Sequence, residues 1–181
     1  MAKQPNITTD RLILRPFELS DASTVQQLVG DLAIADTTLN IPHPYLDGMA
    51  EGWIATHQPQ FEIGTSVVFA ITLRTTGALI GSISLGIERR HNRAELGYWI
   101  GVPYWGKGYC TEAGHELFAY GFTSLELNRI YSCHFTRNPA SGKVMQKLGM
   151  IQEGIARKSV KKGNHYEDIV NYSILLEDWV K

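Results

Sequence analysis

Short apolar runs punctuated by polar turns predict a sheet of several strands, and stretches with helical spacing interrupt it. Leu12-Ile13-Leu14-Arg15 reads as the first strand. Ser20 and Asp21 can cap a helix that runs to about Val29, because both side chains accept from N–H groups without intrahelical partners. Two prolines make Asn40-Ile41-Pro42-His43-Pro44-Tyr45 irregular. Asp47 starts a second helix, with Ala50, Trp53, Ile54 and His57 at helical spacing. Val67–Leu73 is a strand, Thr75-Thr76-Gly77 turns it, and Ala78–Leu85 is its hairpin partner. Glu88 to Arg93 is a polar turn leading into a strand over Ala94–Gly101. A helical run follows over Thr111–Phe122, then a strand over Arg129–Phe135. Asn138 caps a further helix, Pro139 suits its first position, and Gly149 ends it. Strands over roughly Ile151–Val160 and Tyr166–Leu176 are joined by Lys162-Gly163-Asn164. The order β-α-α-β-β-β-α-β-α-β-β describes a mixed α/β (α+β) domain with a largely antiparallel sheet.

No internal repeat or low-complexity linker divides the 181 residues, so a single domain over 1–181 with a substantial core is expected. The net charge of -1 sets up no strong field for nucleic acid or anionic membrane. Arg157-Lys158 and Lys161-Lys162 form a short, interrupted basic cluster that reads as a solvated hairpin. No apolar run is long enough to span a bilayer, and Met1-Ala2-Lys3-Gln4-Pro5 lacks the core of a signal peptide. Cys110 and Cys133 do not make a disulfide framework, so a reducing cytoplasm is the expected location. The six histidines show no close ligand pairing, and no metal is expected.

Tyr104-Trp105-Gly106-Lys107-Gly108-Tyr109-Cys110-Thr111 carries the candidate chemistry. It joins a predicted strand to a predicted helix through glycines. The first turn of a helix offers N–H groups without partners and the positive end of the macrodipole, which together make an anion site. Gly106 and Gly108 lack a Cβ and let the backbone approach a phosphate or pyrophosphate. The segment is neither a P-loop, since one residue separates the glycines, nor a dinucleotide fingerprint, since Thr111 stands where a third glycine is needed.

This order of elements and this turn together resemble the GNAT superfamily of N-acetyltransferases. The family pattern Gln/Arg-x-x-Gly-x-Gly/Ala falls on Trp105 to Cys110, with Trp105 and Cys110 departing from it at the ends. Gly97-Tyr98-Trp99-Ile100 before the turn is similar to the RimJ/RimL subgroup, the ribosomal-protein N-terminal acetyltransferases and their relatives. So are the opening Thr9-Asp10-Arg11-Leu12-Ile13-Leu14-Arg15, Asn138-Pro139-Ala140-Ser141, and Lys147-Leu148-Gly149-Met150 with Glu153-Gly154.

The resemblance implies direct transfer of acetyl from acetyl-CoA to a primary amine, with a homodimer compatible with the subgroup. It implies that N–H groups of Gly106, Lys107, Gly108, Tyr109, Cys110 and Thr111 bind the pyrophosphate. The edge at Trp99 and Ile100 and the N–H of Val102 would pair with the pantetheine arm, which lies like an added strand where this strand splays from the next. Asn138 would hydrogen-bond the pantetheine, and Ser141 would protonate or stabilise the leaving thiolate.

Three residues have two readings each. Glu95 is a general base, acting directly or through water, or a surface carboxylate paired with Arg93 or Arg129. His134 is a second base or a satisfied half-buried histidine. Cys110 is a nucleophile activated by the helix N-terminus or the small residue that the position requires. With no unmistakable strong base, an α-amine is the expected acceptor. Its pKa of about 7.7–8.0 makes deprotonation at pH 7 cost about 1 kcal/mol, against about 4–5 kcal/mol for lysine at about 10.4. A small-molecule amine such as a polyamine, an amino acid or an antibiotic is the alternative, with a non-catalytic CoA-binding module as the reading from another class. Acceptor contacts are expected from Asn40–Tyr45, the second helix and the final hairpin near Asn164–Asp168.

Overall fold

In the strand Ser66–Leu73, Val67, Phe69 and Ile71 pack into one apolar cluster and Ala70 into another. Successive side chains of a strand point to opposite faces, so this strand lies between two layers. The structure is a computed structural model that describes residues 4–179. Its strands are β1 (Ile7–Thr8), β2 (Leu12–Arg15), β3 (Ser66–Leu73), β4 (Leu79–Glu88), β5 (Arg93–Ile100), β6 (Arg129–Phe135), β7 (Ile151–Lys162) and β8 (His165–Leu175). They form one sheet in the order β1-β2-β3-β4-β5-β6-β8-β7, in which β5 and β6 are the parallel pair. The mixed, mostly antiparallel sheet expected from the sequence is the one found.

Helices cover both faces. α1 (Ala22–Val29), α2 (Leu32–Thr37), α3 (Met49–Ala55) and α4 (His57–Glu62) precede β3. Val25, Val29, Ile34, Ala50 and Ile54 from the first three of these pack with Ala70, Leu79 and Trp99. α5 (Tyr109–Thr123) and α6 (Pro139–Lys147) supply Ala113, Leu117, Phe118, Phe122 and Met145 to the larger core on the other face. No helix among the described residues is long and apolar enough to cross a membrane.

Four local expectations differ from the structure. Asp21 does not cap α1; it accepts a two-pronged bond from Arg15 at 2.7 and 2.7 Å and a further bond from Glu18 N–H at 2.9 Å. Burial alone would raise its carboxyl, but the Arg15 bond and the Glu18 N–H outweigh burial and leave it below its ordinary value. Asp47 accepts from Gln26 Nε2 at 2.6 Å, and Gly48, in the left-handed region at φ 83, starts α3 instead. α2 was not anticipated; Asp31 caps it by accepting from Ala33 N–H at 2.9 Å. Lys162 is not merely solvated: its Nζ donates to Thr38 O at 2.5 Å, which ties the end of the β7–β8 hairpin to the chain after α2.

Candidate active site

β5 and β6 pair only at Arg93–Glu95 with Arg129–Tyr131. Just beyond, Ser132 Oγ donates to Leu96 O at 2.9 Å, and a side chain takes the place of the next ladder bond. The strands then separate, as the resemblance implied. Two cavities open around the gap, of about 520 Å³ and about 360 Å³. Tyr98, Trp99, Ser141, Thr37 and Thr38 line both.

The smaller cavity contains the glycine turn. After β5 a short 3-10 turn spans Val102–Tyr104, and the Trp105 indole N–H donates back to Ile100 O at 2.5 Å. Gly106 at φ 74 and Gly108 at φ 79 occupy the left-handed region that favours glycine. No side chain caps the α5 N-terminus, and Gly106, Gly108, Tyr109, Cys110 and Thr111 line the cavity beside it. Trp99, Ile100, Asn138 and Ser141 line it as well. Val102 and Lys107 do not belong to this lining. Val102 packs against the core beside α1 and α3, and Lys107 Nζ donates to Pro103 O at 3.0 Å.

Cations missed from the sequence surround this turn. Arg11 Nη1 donates to Lys107 O at 3.0 Å, and the guanidinium lies 4.7 Å from the centre of the Tyr109 ring. Glu112, in the first turn of α5, holds Arg11 at 2.6 Å and also accepts from Arg11 N–H at 2.9 Å. Lys143 and Lys147 line the same cavity from α6. Arg11 lay within the opening segment that resembled the subgroup, but nothing local linked it to a turn about a hundred residues later in the chain. Cys110 is buried, and burial pushes its thiol well above the ordinary range, which removes the activated nucleophile and keeps the small-residue reading.

The two cavities meet at a hydroxyl pair. Tyr98 Oη lies 2.6 Å from Ser141 Oγ and 3.1 Å from Ser141 O. Burial raises the phenol far above its ordinary value, so it stays protonated and keeps a hydrogen to donate. Asn138 Oδ1 accepts from Ser141 N–H at 3.3 Å and Nδ2 reaches Thr37 O at 3.4 Å, so the cap of α6 also holds the end of α2. Tyr98 was quoted from the sequence only as part of a motif. Its partner lies 43 residues away, and periodicity cannot report such a pairing.

Glu95 lines the larger cavity. Its two proposed ion-pair partners are engaged elsewhere, Arg93 with Glu88 and Arg129 with Glu153, each at 2.7 Å. Glu95 is thus an exposed carboxylate, as the surface reading has it, but without either of the two arginine partners expected for it. His134 Nδ1 lies 2.8 Å from Phe135 O, and its ring packs 5.7 Å from Tyr172. A Cβ on Gly142 would stand 2.6 Å from His134 Nε2, so α6 lies close over the ring, which is half-buried and lines the larger cavity together with Glu95.

Asn40, Ile41, Pro42 and Tyr45 line the larger cavity, as do Met49 and Trp53 of α3. From the final hairpin the contributors are Val160 and Ile169, not the Asn164–Asp168 stretch expected. Glu167 pairs with Arg137 at 3.0 Å, and Asp168 accepts from Lys158 N–H at 2.6 Å. No group of three or more His, Cys, Asp or Glu among the described residues could hold a metal ion.

A sequence profile of the family described as "Acetyltransferase (GNAT) domain" matches residues 11–151. The uncharacterized N-acetyltransferase p20 of Bacillus licheniformis is 34% identical over 173 residues, covering 94% of this chain and 96% of that protein. The crystal structure of a GNAT-family acetyltransferase from Bacillus anthracis superposes with a TM-score of 0.86 at 26% identity, covering 96% of this chain and 99% of the other. A ribosomal-protein-serine acetyltransferase of Escherichia coli is 31% identical over 100 residues, 55% of this chain and 56% of that protein. Neither of the first two names an acceptor, and similar proteins that do include both ribosomal-protein and spermidine acetyltransferases.

Proposed function

We propose that this chain, which belongs to the GNAT acetyltransferase family and takes its acetyl group from acetyl-CoA, transfers that group to an α-amine such as a protein N-terminus. One observation carries the reading: the glycine-turn cavity and the larger cavity share a wall at Tyr98 and Ser141. A donor on one side and an acceptor on the other would meet at that wall.

N–H groups from Gly106 to Thr111 hold the pyrophosphate in this reading, with Arg11, Lys143 and Lys147 adding positive charge. Trp99, Ile100 and Asn138 position the pantetheine arm. Glu95 accepts the ammonium proton of the acceptor, directly or through water, and the neutral nitrogen attacks the thioester carbonyl. As the tetrahedral intermediate collapses, Ser141 Oγ–H, oriented by the hydrogen bond it accepts from Tyr98 Oη–H, gives its proton to the departing sulfur and regains one from the cationic nitrogen, directly or through water, while Tyr98 stays protonated. Thiolate leaves readily, since thiols titrate near 8.5, so this assistance is modest and binding geometry carries much of the rate. The absence of an unmistakable strong base, with the Cys110 thiol buried, favours an α-amine over lysine.

Three acceptors test the reading with acetyl-CoA and mass spectrometry. One is a peptide with a free N-terminus and no lysine, one an N-terminally blocked peptide with lysine, and the third spermidine. The first should be acetylated fastest. Preference for the blocked peptide or for spermidine would overturn the α-amine assignment.

A further inference from the structure

The larger cavity has an uneven chemistry. Its wall is largely apolar and aromatic, with Ile41, Tyr45, Met49, Trp53, Phe135 and Ile169 prominent. Among the described residues that line it, Glu95 is the one carboxylate, His134 is the one histidine, and none is a lysine or arginine. The cations nearest in the fold are already used: Arg137 holds Asp36 at 2.7 Å and Glu167 at 3.0 Å, and Lys162 is bonded to Thr38 O.

The apolar wall is also held in place. Trp53 packs edge-on against His57 at 4.4 Å and Phe17 at 5.0 Å, and lies 6.5 Å from Trp99. An indole fixed by three rings presents a surface that needs little reordering when a ligand arrives.

Charge complementarity then limits the acceptor. One carboxylate matches one ammonium. A second ammonium, as in a polyamine, would enter an apolar wall without a partner, and so would a free carboxylate or phosphate. We propose that the acceptor is a singly charged amine whose adjoining group is a bulky apolar or aromatic side chain, seated against Trp53 with its nitrogen toward Glu95. This rests on the reading of the larger cavity as the acceptor side. Two sources share that chemistry: a peptide whose first residue is Phe, Leu or Met, and a free arylalkylamine.

The experiment uses the full chain with acetyl-CoA and peptides that differ only in a first residue of Phe, Leu, Ser or Asp. Phenethylamine, phenylalaninamide and free phenylalanine are assayed alongside. Phe and Leu peptides should exceed Ser and Asp peptides at least tenfold in kcat/KM, and phenylalaninamide should exceed free phenylalanine by a similar factor. Trp53→Ala should shrink the Phe-to-Ser ratio at least tenfold. Because that variant removes a half-buried ring, a second is needed: Met49→Lys, at a partly exposed position on the same wall, should raise the rate with free phenylalanine relative to phenylalaninamide. Equal rates for all four peptides would overturn the apolar subsite and leave the α-amine reading standing. Acetylation of phenethylamine with none of any peptide would retain the subsite and overturn the protein N-terminus.

Discussion

Tyr98 Oη and Ser141 Oγ lie 2.6 Å apart, close enough that the hydrogen of one hydroxyl decides the direction of the other. When Tyr98 donates, the Ser141 hydrogen is free to point at the departing sulfur. When Tyr98 donates to Ser141 O at 3.1 Å instead, Ser141 turns its hydrogen to Tyr98 and offers the sulfur nothing. The pair acts as one unit, and its two variants should not behave as independent changes.

Ser141→Ala should lower kcat about tenfold while changing the KM for acetyl-CoA far less, because the hydroxyl serves a leaving group and not the bound donor. Steady-state kinetics separates the two constants. A raised KM with unchanged kcat would make Ser141 a cap or binding residue.

Tyr98→Phe keeps the ring in the wall between the cavities and removes only the hydroxyl. It should lower kcat alone, and should add little on top of Ser141→Ala, since it acts through that residue. Additive losses in the double variant would separate the two residues.

Gly108→Val places a β-branched residue at φ 79, with its Cβ 3.6 Å from Arg11 Nη2. Its dissociation constant for acetyl-CoA should rise about tenfold or more, by the loss of backbone approach at a helix N-terminus. Calorimetric titration, with circular dichroism as the check on folding, reads this. Unchanged affinity would take the phosphate assignment away from this turn.

These predictions rest on parts of the molecule with different legibility. The glycine turn could be read because its demand is local: left-handed backbone, a strand before and a helix after. α6 was read for the same reason, since Asn138, Pro139 and Gly149 each act within a turn of their own position. α2 is only six residues long, too short for its periodicity to rise above the surrounding pattern. Asp21 was misread because its real partner, Arg15, lies in a strand and competes with the helix N-terminus for the same oxygens. The Glu112–Arg11 bond spans 101 residues, and no spacing rule encodes such a contact.

His57 bears on stability and not on catalysis. Neither ring nitrogen has a hydrogen-bond partner among the described residues, and burial lowers its pKa from 6.5 to about 4. The native state therefore holds it neutral where the unfolded chain protonates it. The associated stability is intact above pH 6.5, begins to decline as pH falls below that value, and is gone by about pH 4. The total is at most about 3 kcal/mol, of which about 2 kcal/mol is lost by pH 5. His57→Leu should flatten the difference in urea midpoint between about pH 7.5 and pH 5 relative to the parent. An identical pH dependence in both proteins would remove His57 as its source.

Thr37 and Thr38 face both cavities, and the segment that carries them is pinned by Asn138, Arg137 and Lys162. A displacement there on binding one substrate is felt by the other, which makes the two affinities thermodynamically linked. Whatever factor acetyl-CoA imposes on the acceptor's dissociation constant, the acceptor must impose on that of the donor. Titrations with a non-transferable acetyl-CoA analogue, each ligand with and without its counterpart, measure that factor. A value of one would mean that the shared wall transmits nothing, and a value above or below one fixes whether the enzyme favours or resists having both substrates in place.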